Sequence, residues 1–268
     1  MYRLLALDMD GTLLRKDKTI SRRTKDAIKK AKGNGIQVVL ATGRPTKGIE
    51  KYLKELDLVN DNDYTVSFNG AVIQNSKTGL VIAETPMSYE DLFYLFKLSQ
   101  ELKVNIHALT NDSCITPKWN RFSQTEASLN EINLVISDFD KLDQKNPIVK
   151  IMFIDETDVL NQALEHLPIE TQTRFSTMRS DPNYYEFLNI KVNKGAGIEI
   201  LANILGIKQS EVICIGDAGN DIHMIKYAGL GVAMGNAFSD VKTIADYITR
   251  SNEEDGVAHV IEKFILAC

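Results

Sequence analysis

Carboxylate, amide and lysine side chains recur at places along the 268-residue chain where an apolar run stops. Asp8 and Asp10 flank a single methionine in LALDMDGTLL. Thr42 and Arg44 follow VVLA in ATGRP, Lys194 opens a glycine-containing stretch in NKGAG, and Asp217, Asn220 and Asp221 follow VICIG in GDAGND. Converging carboxylates repel one another unless one is protonated or a cation lies between them. The ligands on offer are oxygens, with no Cys or His among them, and hard oxygen donors favour Mg2+ over Zn2+. His223 follows the acidic loop, but a lone histidine at a helix start reads as structural or solvated. A carboxylate can be a covalent nucleophile, and a phosphoryl group in transfer needs positive charge and donors around its oxygens. Lys194, the Thr42 hydroxyl and backbone N–H groups near Met9 and Gly43 could supply these beside a metal ion. Any one of these motifs would pass as a turn or cap, where Asp, Asn and Thr are common. Together they point to phosphoryl transfer.

The elements that must position these groups read as alternating strands and helices. Residues 3–7 form a short buried strand ending at Asp8. An amphipathic helix follows with Ser21 as N-cap, broken at Gly33 to Gly35. Residues 36–40 are a second strand, Pro45 stands where the next helix could begin, and Ile49, Tyr52, Leu53 and Leu56 keep helical spacing. Residues 65–68 lead into Asn69-Gly70, a hairpin signal. Short buried strands joined by helices imply a parallel sheet covered on both faces. The C-terminal part repeats the style, with a helix from Lys194, strands at 212–215, 231–234 and 247–248, and helices between. The middle differs: longer, more alternating strands at 104–109, 148–154 and 174–179 lie among helical stretches at 89–102 and 158–167. The expectation is an α/β protein with a core of residues 1–83 and 189–268 and an inserted α+β unit of residues 84–188. In an open parallel sheet, ligands bind beyond the carboxyl ends of the strands.

Composition excludes several classes. The net charge of −5 is spread along the chain, against a dedicated nucleic-acid surface. The locally basic stretch KDKTISRRTKDAIKKAKGNG reads as the solvated face of a helix. No apolar run approaches the ~20 residues of a membrane span, and the N-terminus lacks a signal-peptide pattern, so the expected compartment is the cytoplasm. Cys114, Cys214 and Cys268 are too scattered for a disulfide framework or a metal clip. Gly195-x-Gly197 lacks the third glycine of a dinucleotide fingerprint, and no GxxxxGK[ST] loop occurs. Oligomeric state is not legible.

DMDGTLL, ATGRP, NKGAG and GDAGND, in this order, resemble the four motifs of the haloacid dehalogenase superfamily. FNGA, the YYEFL run before NKG and the long insert are similar to the Cof-type class IIB branch, with its YidA-like sugar phosphatases and their cap domain. The resemblance implies a Rossmann-like core with a substrate-selecting cap, and a Mg2+-dependent phosphatase acting on a small phosphorylated metabolite, by resemblance a sugar phosphate. It makes Asp8 the nucleophile and a metal ligand. Asp10 becomes the general acid/base, binding metal through its backbone carbonyl. Thr42 and Lys194 would hold the phosphoryl oxygens, with backbone donors at Met9 and Gly43 and the Asn220 amide. Asp217 would ligate the metal and Asp221 would support it. Arg44, Asn69 and Glu186 are candidate substrate contacts, although Asn69 could equally serve its turn and Arg44 pair with a surface carboxylate. Trp119, Tyr184 and Tyr185 read as packing residues. The alternatives are a phosphomutase of the same superfamily and a non-catalytic sugar-phosphate sensor, which has no need of Asp8, Asp10 and Lys194 together.

Overall fold

The computed structural model describes residues 1–142 and 146–267. Along the chain the strands are β1 (Leu4–Leu7), β2 (Gln37–Ala41), β3 (Tyr64–Ser67), β4 (Val72–Asn75), β5 (Val81–Glu84), β6 (Asn105–Leu109), β7 (Ser113–Thr116), β8 (Asn133–Ile136), β9 (Lys150–Ile154), β10 (Phe175–Asp181), β11 (Tyr184–Asn189), β12 (Val212–Gly216), β13 (Leu230–Ala233) and β14 (Tyr247–Ile248). The chain divides into two compact units. The first holds Met1–Gly43, Glu50–Ala83 and the chain from Asn193 onward, the second Arg44–Ile49 and Glu84–Val192. The second unit thus runs past residue 188, where the sequence reading ended it, because β11 continues to Asn189. It also takes in Arg44.

In the first unit the strand order is β14-β13-β12-β1-β2-β3-β4-β5. Pairing is parallel from β14 to β3 and antiparallel between β3 and β4. LLAL, VICIG and LGVA are buried along their whole length, as strands covered on both faces must be. The chain moves from β1 to β2 and β3 on one side and through β12 to β14 on the other. The order therefore reverses at β1, and the carboxyl ends of β1 and β12 flank the reversal, where open α/β sheets bind ligands. Leu4, Ala6, Val39 and Val66 of the sheet share a core with Ile198, Leu201 and Ala202 of the Lys194–Ile204 helix.

Ser21 caps the Arg22–Gly33 helix, its side chain accepting from the Thr24 N–H. That helix buries Thr24, Ala27, Ile28 and Ala31 and leaves Arg22, Arg23, Lys29 and Lys30 exposed, so the basic stretch is a solvated face. Pro45 does not start a helix. Lys47–Ile49 form one tight turn, with N–H bonds from Gly48 to Pro45 and from Ile49 to Thr46, and the α-helix spans Glu50–Glu55. The turn at Asn69-Gly70 is wider than a two-residue hairpin, because Ser67 pairs with Val72. Phe68, Asn69 and Gly70 all have positive φ, at 49°, 56° and 100°. A side chain at position 70 would place its Cβ 2.3 Å from the Asn193 carbonyl oxygen. Glycine there lets the turn lie against the start of the Lys194 helix.

The second unit has the sheet β10-β11-β9-β6-β7-β8, antiparallel except for β7 with β8. One face is apolar: Ile106, Ala108, Ile115, Ile151, Phe153 and Phe187 pack with Leu92 and Leu95 of the Tyr89–Glu101 helix and Leu160 of the Thr157–Glu165 helix. Sequence reasoning named no strand at β7, β8 or β11 and no helix at Arg121–Leu129. Tyr185 packs edge-on against Phe187 and Tyr184 against Phe122, but Trp119 is 57 % exposed and does not serve as core. Cys114 and Cys214 are buried free thiols, and Cys268 lies outside the described residues. Among the described residues no helix is long and apolar enough to cross a membrane.

Candidate active site

β1 and β12 are paired in register, Leu7 with Ile215, and the Asp8 N–H donates to the Ile215 carbonyl at 3.0 Å. Asp8 and Asp217 therefore leave adjacent strands at nearly the same level. Asp8, Asp217 and Asp221 each offer a carboxylate oxygen, all within 4.8 Å of one another. Into this group reaches Lys194, the first residue of a helix whose cap Asn193 accepts from the Ala196 N–H. Lys194 is fully buried, and its Nζ donates to Asp8 Oδ1 at 2.5 Å and Asp221 Oδ1 at 2.7 Å. Asp221 Oδ2 accepts the N–H groups of Asp217 at 2.9 Å and Ala218 at 3.0 Å, so both its oxygens are engaged. Thr12 Oγ1 donates to Asp217 Oδ1 at 2.8 Å. Gly11 has φ +88°, and a Cβ there would fall 2.3 Å from Asp217 Oδ2. The Asp-Gly-Thr turn is thus fitted to the second acidic loop.

Three carboxylates share one buried ammonium. Burial pushes the Asp8 carboxyl well above its usual range, the charge of Asp221 adds to this, and Lys194 opposes it. Asp217 is pushed up to about 6, chiefly by burial, with the Thr12 hydroxyl working the other way. Burial works to lower the Lys194 ammonium, but the charges of Asp221 and Asp8 outweigh it and raise the group above its ordinary value. With all three carboxylates ionised the centre would carry more negative charge than Lys194 neutralises. A divalent cation fits this deficit, and the donors are hard oxygens with no thiolate or imidazole in the group. His223 is exposed and outside it.

The remaining predicted residues fall into three places. The Asp10 side chain is 41 % exposed, and its Oδ1 accepts from Lys18 Nζ at 2.8 Å. Thr42 is buried beyond β2, and its carbonyl accepts the Asn69 N–H at 2.9 Å. Asn220 Nδ2 donates to Asn69 Oδ1 at 3.0 Å, which links Thr42, Asn69 and Asn220 into one chain of contacts. Gly43 adjoins it, since a Cβ there would come within 3.2 Å of the Asn69 amide. The Met9 side chain is buried, and its carbonyl accepts the Leu14 N–H. Arg44 and Glu186 belong to the second unit, where Glu186 pairs with Lys150 at 3.0 Å. Thr12, Lys18 and Lys150 were not singled out from the sequence. Thr12 stands inside the DMDGTLL motif, whereas nothing local marks Lys18 as the partner of Asp10.

Residues 5–261 match the family of haloacid dehalogenase-like hydrolases. The YxeH protein of Bacillus subtilis (strain 168) is 40 % identical over 100 % of both chains. A haloacid dehalogenase-like hydrolase from Bacteroides thetaiotaomicron superposes with a TM-score of 0.87 at 34 % identity, over 99 % of this chain and 100 % of that one. BT4131, described as a subclass IIB sugar phosphatase, superposes at 0.78 with 25 % identity over 98 % of each. An α/β core whose reversal point gathers Asp8, Lys194, Asp217 and Asp221, in a chain related over its whole length to these proteins, belongs to the haloacid dehalogenase-like hydrolases and is a phosphatase of their Cof-type, subclass IIB branch.

Proposed function

We propose that the chain is a Mg2+-dependent phosphatase that hydrolyses a small sugar phosphate through an aspartyl-phosphate on Asp8. The observation that carries this reading is the buried ammonium of Lys194 held against Asp8 and Asp221, beside a third carboxylate at Asp217. The Asp8 and Asp217 carboxylates and the Asp10 backbone carbonyl would hold the metal. Asp221, with both oxygens engaged, would contribute charge and fix Lys194 and the loop. Mg2+ when bound would neutralise these carboxylates and polarise the phosphoryl oxygens.

In this reading an Asp8 carboxylate oxygen attacks phosphorus, and the bond to the leaving oxygen breaks as Asp10 gives that oxygen a proton. Asp10 then takes a proton from water, whose oxygen attacks the phosphorus of the aspartyl-phosphate and frees Asp8. Lys194, the Thr42 hydroxyl, the Asn220 amide and the N–H groups of Met9 and Gly43 would hold the phosphoryl oxygens. Asn69 and, from the second unit, Arg44 and Glu186 are the proposed substrate contacts. The second unit would act as the cap that selects the leaving group. A sugar phosphate is favoured because BT4131 is described as a sugar phosphatase.

The test is phosphate release from a panel of sugar phosphates and one aryl phosphate, with Mg2+ and with chelator. The expected result is release that chelator abolishes and excess Mg2+ restores, with one sugar class turned over fastest. Release indifferent to chelator would overturn the metal assignment, and a requirement for a sugar bisphosphate activator would move the reading to a mutase.

The raised carboxyls also predict a pH dependence. Asp217 moves from 3.8 to about 6 on folding without metal. Across that window the metal-free fold holds a proton that the unfolded chain releases, so its stability falls as pH rises through it. A bound cation reverses this by favouring the ionised form. The rise in thermal midpoint on adding excess Mg2+ is expected to be several-fold larger at about pH 7.5 than at about pH 4.5. Scanning calorimetry at both pH values checks it, and equal shifts would contradict a carboxylate site for the ion.

A further inference from the structure

Asp10 is followed by the residue least able to hold it. Gly11 takes φ +88° and has no room for a Cβ beside Asp217, and glycine restrains its own backbone less than any other residue. The contact on the Asp10 carboxylate does not make up for this. The Lys18 and Asp10 side chains are 56 % and 41 % exposed, and ion pairs so open to water contribute little. The turn is instead held through its backbone, by two asparagines. Asn236 Nδ2 donates to the Gly11 carbonyl at 2.8 Å, and Asn252 Nδ2 donates to the Leu14 carbonyl at 2.8 Å. Leu14 forms an isolated β-bridge with Asp10, so the two contacts fall at the two ends of the turn that follows Asp10. The asparagines are also joined to each other, the Asn252 N–H donating to Asn236 Oδ1 at 2.9 Å. All these residues belong to the first unit.

Both asparagines are anchored. Asn236 lies in the loop after β13, where the N–H groups of Gly235 and Phe238 donate to the carbonyls of Arg250 and Asp217, each at 3.0 Å. One short loop therefore holds the Asp217 carbonyl and the Gly11 carbonyl together. Asn252 opens the turn Asn252–Glu254, and its neighbours grip the chain just beyond Leu14. Glu253 Oε1 accepts the Lys16 N–H at 2.8 Å, and Asp255 Oδ1 accepts from the Arg15 guanidinium at 2.9 Å. An asparagine that merely shapes its own turn bonds backbone two or three residues away. These two amides reach carbonyls 225 and 238 positions away.

We propose that Asn236 and Asn252 are positioning residues for proton transfer: through the Gly11 and Leu14 carbonyls they fix the turn that aims Asp10 at the leaving oxygen. This rests on the reading of Asp10 as general acid and base, and it assigns the holding of that group to segments outside the four motifs. Neither asparagine takes part in the chemistry. A general acid is worth about 100- to 10,000-fold, and a displacement of about 1 Å can cost about 100-fold. Loss of one of the two contacts is expected to cost about 10- to 100-fold.

The experiment compares two leaving groups. A sugar alkoxide needs the Asp10 proton as its bond to phosphorus breaks, whereas dinitrophenolate departs as a stable anion and needs none. Because kcat/KM reports events up to that bond cleavage, it isolates the acid from its later work as a base. Asn236→Ala and Asn252→Ala are each expected to lower kcat/KM about 10- to 100-fold for the fastest sugar phosphate of the panel, and less than about threefold for dinitrophenyl phosphate. Asp10→Asn should lower the sugar phosphate by about 100-fold or more, again sparing the dinitrophenyl ester. Adding Asn236→Ala to Asp10→Asn should then cost less than about a further threefold, since the contact has no acid left to aim. A merely structural asparagine would lower both esters by one factor and add its full cost to Asp10→Asn. Asn236 is exposed, so its truncation leaves the core intact, and Asn252→Ala tests the second contact independently. The proposal is overturned if both esters fall together, or if both variants keep the sugar phosphate within about threefold of wild type. If Asp10→Asn itself fails to separate the esters, Asp10 is not the acid, and this inference falls with that reading. Wild type that releases phosphate from neither ester would sink the phosphatase reading, and this inference with it.

Discussion

Asp8→Asn is expected to lower kcat for phosphate release by about ten-thousand-fold or more while leaving the chain folded. The amide keeps the shape of the carboxylate but cannot attack phosphorus. Stability should change little or improve. Burial and the Asp221 charge already push the Asp8 carboxyl well above its usual range, so a neutral side chain relieves a repulsion. Lys194 retains Asp221 at 2.7 Å as its partner. The combination distinguishes a nucleophile from a merely structural aspartate, whose loss would lower both properties. Phosphate release and a thermal unfolding curve on the same preparation check it. A variant within tenfold of wild type would remove Asp8 from the mechanism.

Much of this site was legible in the sequence because its chemistry follows strand ends. LALD and VICIGD are short apolar runs that stop at a carboxylate, and their parallel pairing, Leu7 with Ile215, is what brings Asp8 and Asp217 together. Lys194 was legible through its motif, although its burial was not: a lysine at a helix start ordinarily faces water. Its cap Asn193 and the close approach of Gly70 to the Asn193 carbonyl turn that residue inward. Asn69 looked like a turn residue and is one, with φ of 56°, but its side chain also holds the Asn220 amide. A contact across 151 positions leaves no local mark.

The second unit was harder to read. β8 is mostly exposed and β7 is only four residues long, so neither carries the apolar run that announces a buried strand. Pro45 misled because its fixed φ suits a helix start, whereas here the chain makes one tight turn before the helix begins at Glu50. In β9 nothing in the sequence around Lys150 marks its side chain as buried. Only the pairing of β9 with β11 shows that Glu186 is waiting beside it. Charges that belong to strands distant in sequence are the features a single sequence hides.

Lys194→Met is expected to cost about 3–5 kcal/mol of stability, because it leaves Asp8 and Asp221 buried without their cation. The same variant should lose about 100- to 1000-fold in kcat through the missing charge on the phosphoryl oxygens. Lys194→Arg separates the two effects. It keeps the charge, but a planar fork in a site with no exposed surface must displace neighbours, a strain of about 1–3 kcal/mol. The expected order of stability is therefore wild type, then Lys194→Arg, then Lys194→Met. Excess Mg2+ should narrow the gap for Lys194→Met more than for Lys194→Arg, since the ion replaces the charge that methionine removes. Urea unfolding of the three proteins with and without Mg2+ measures this. If Lys194→Met unfolds at the wild-type midpoint without metal, the carboxylates are not held ionised against the ammonium, and the charge deficit that argues for a divalent ion would be smaller than the geometry implies.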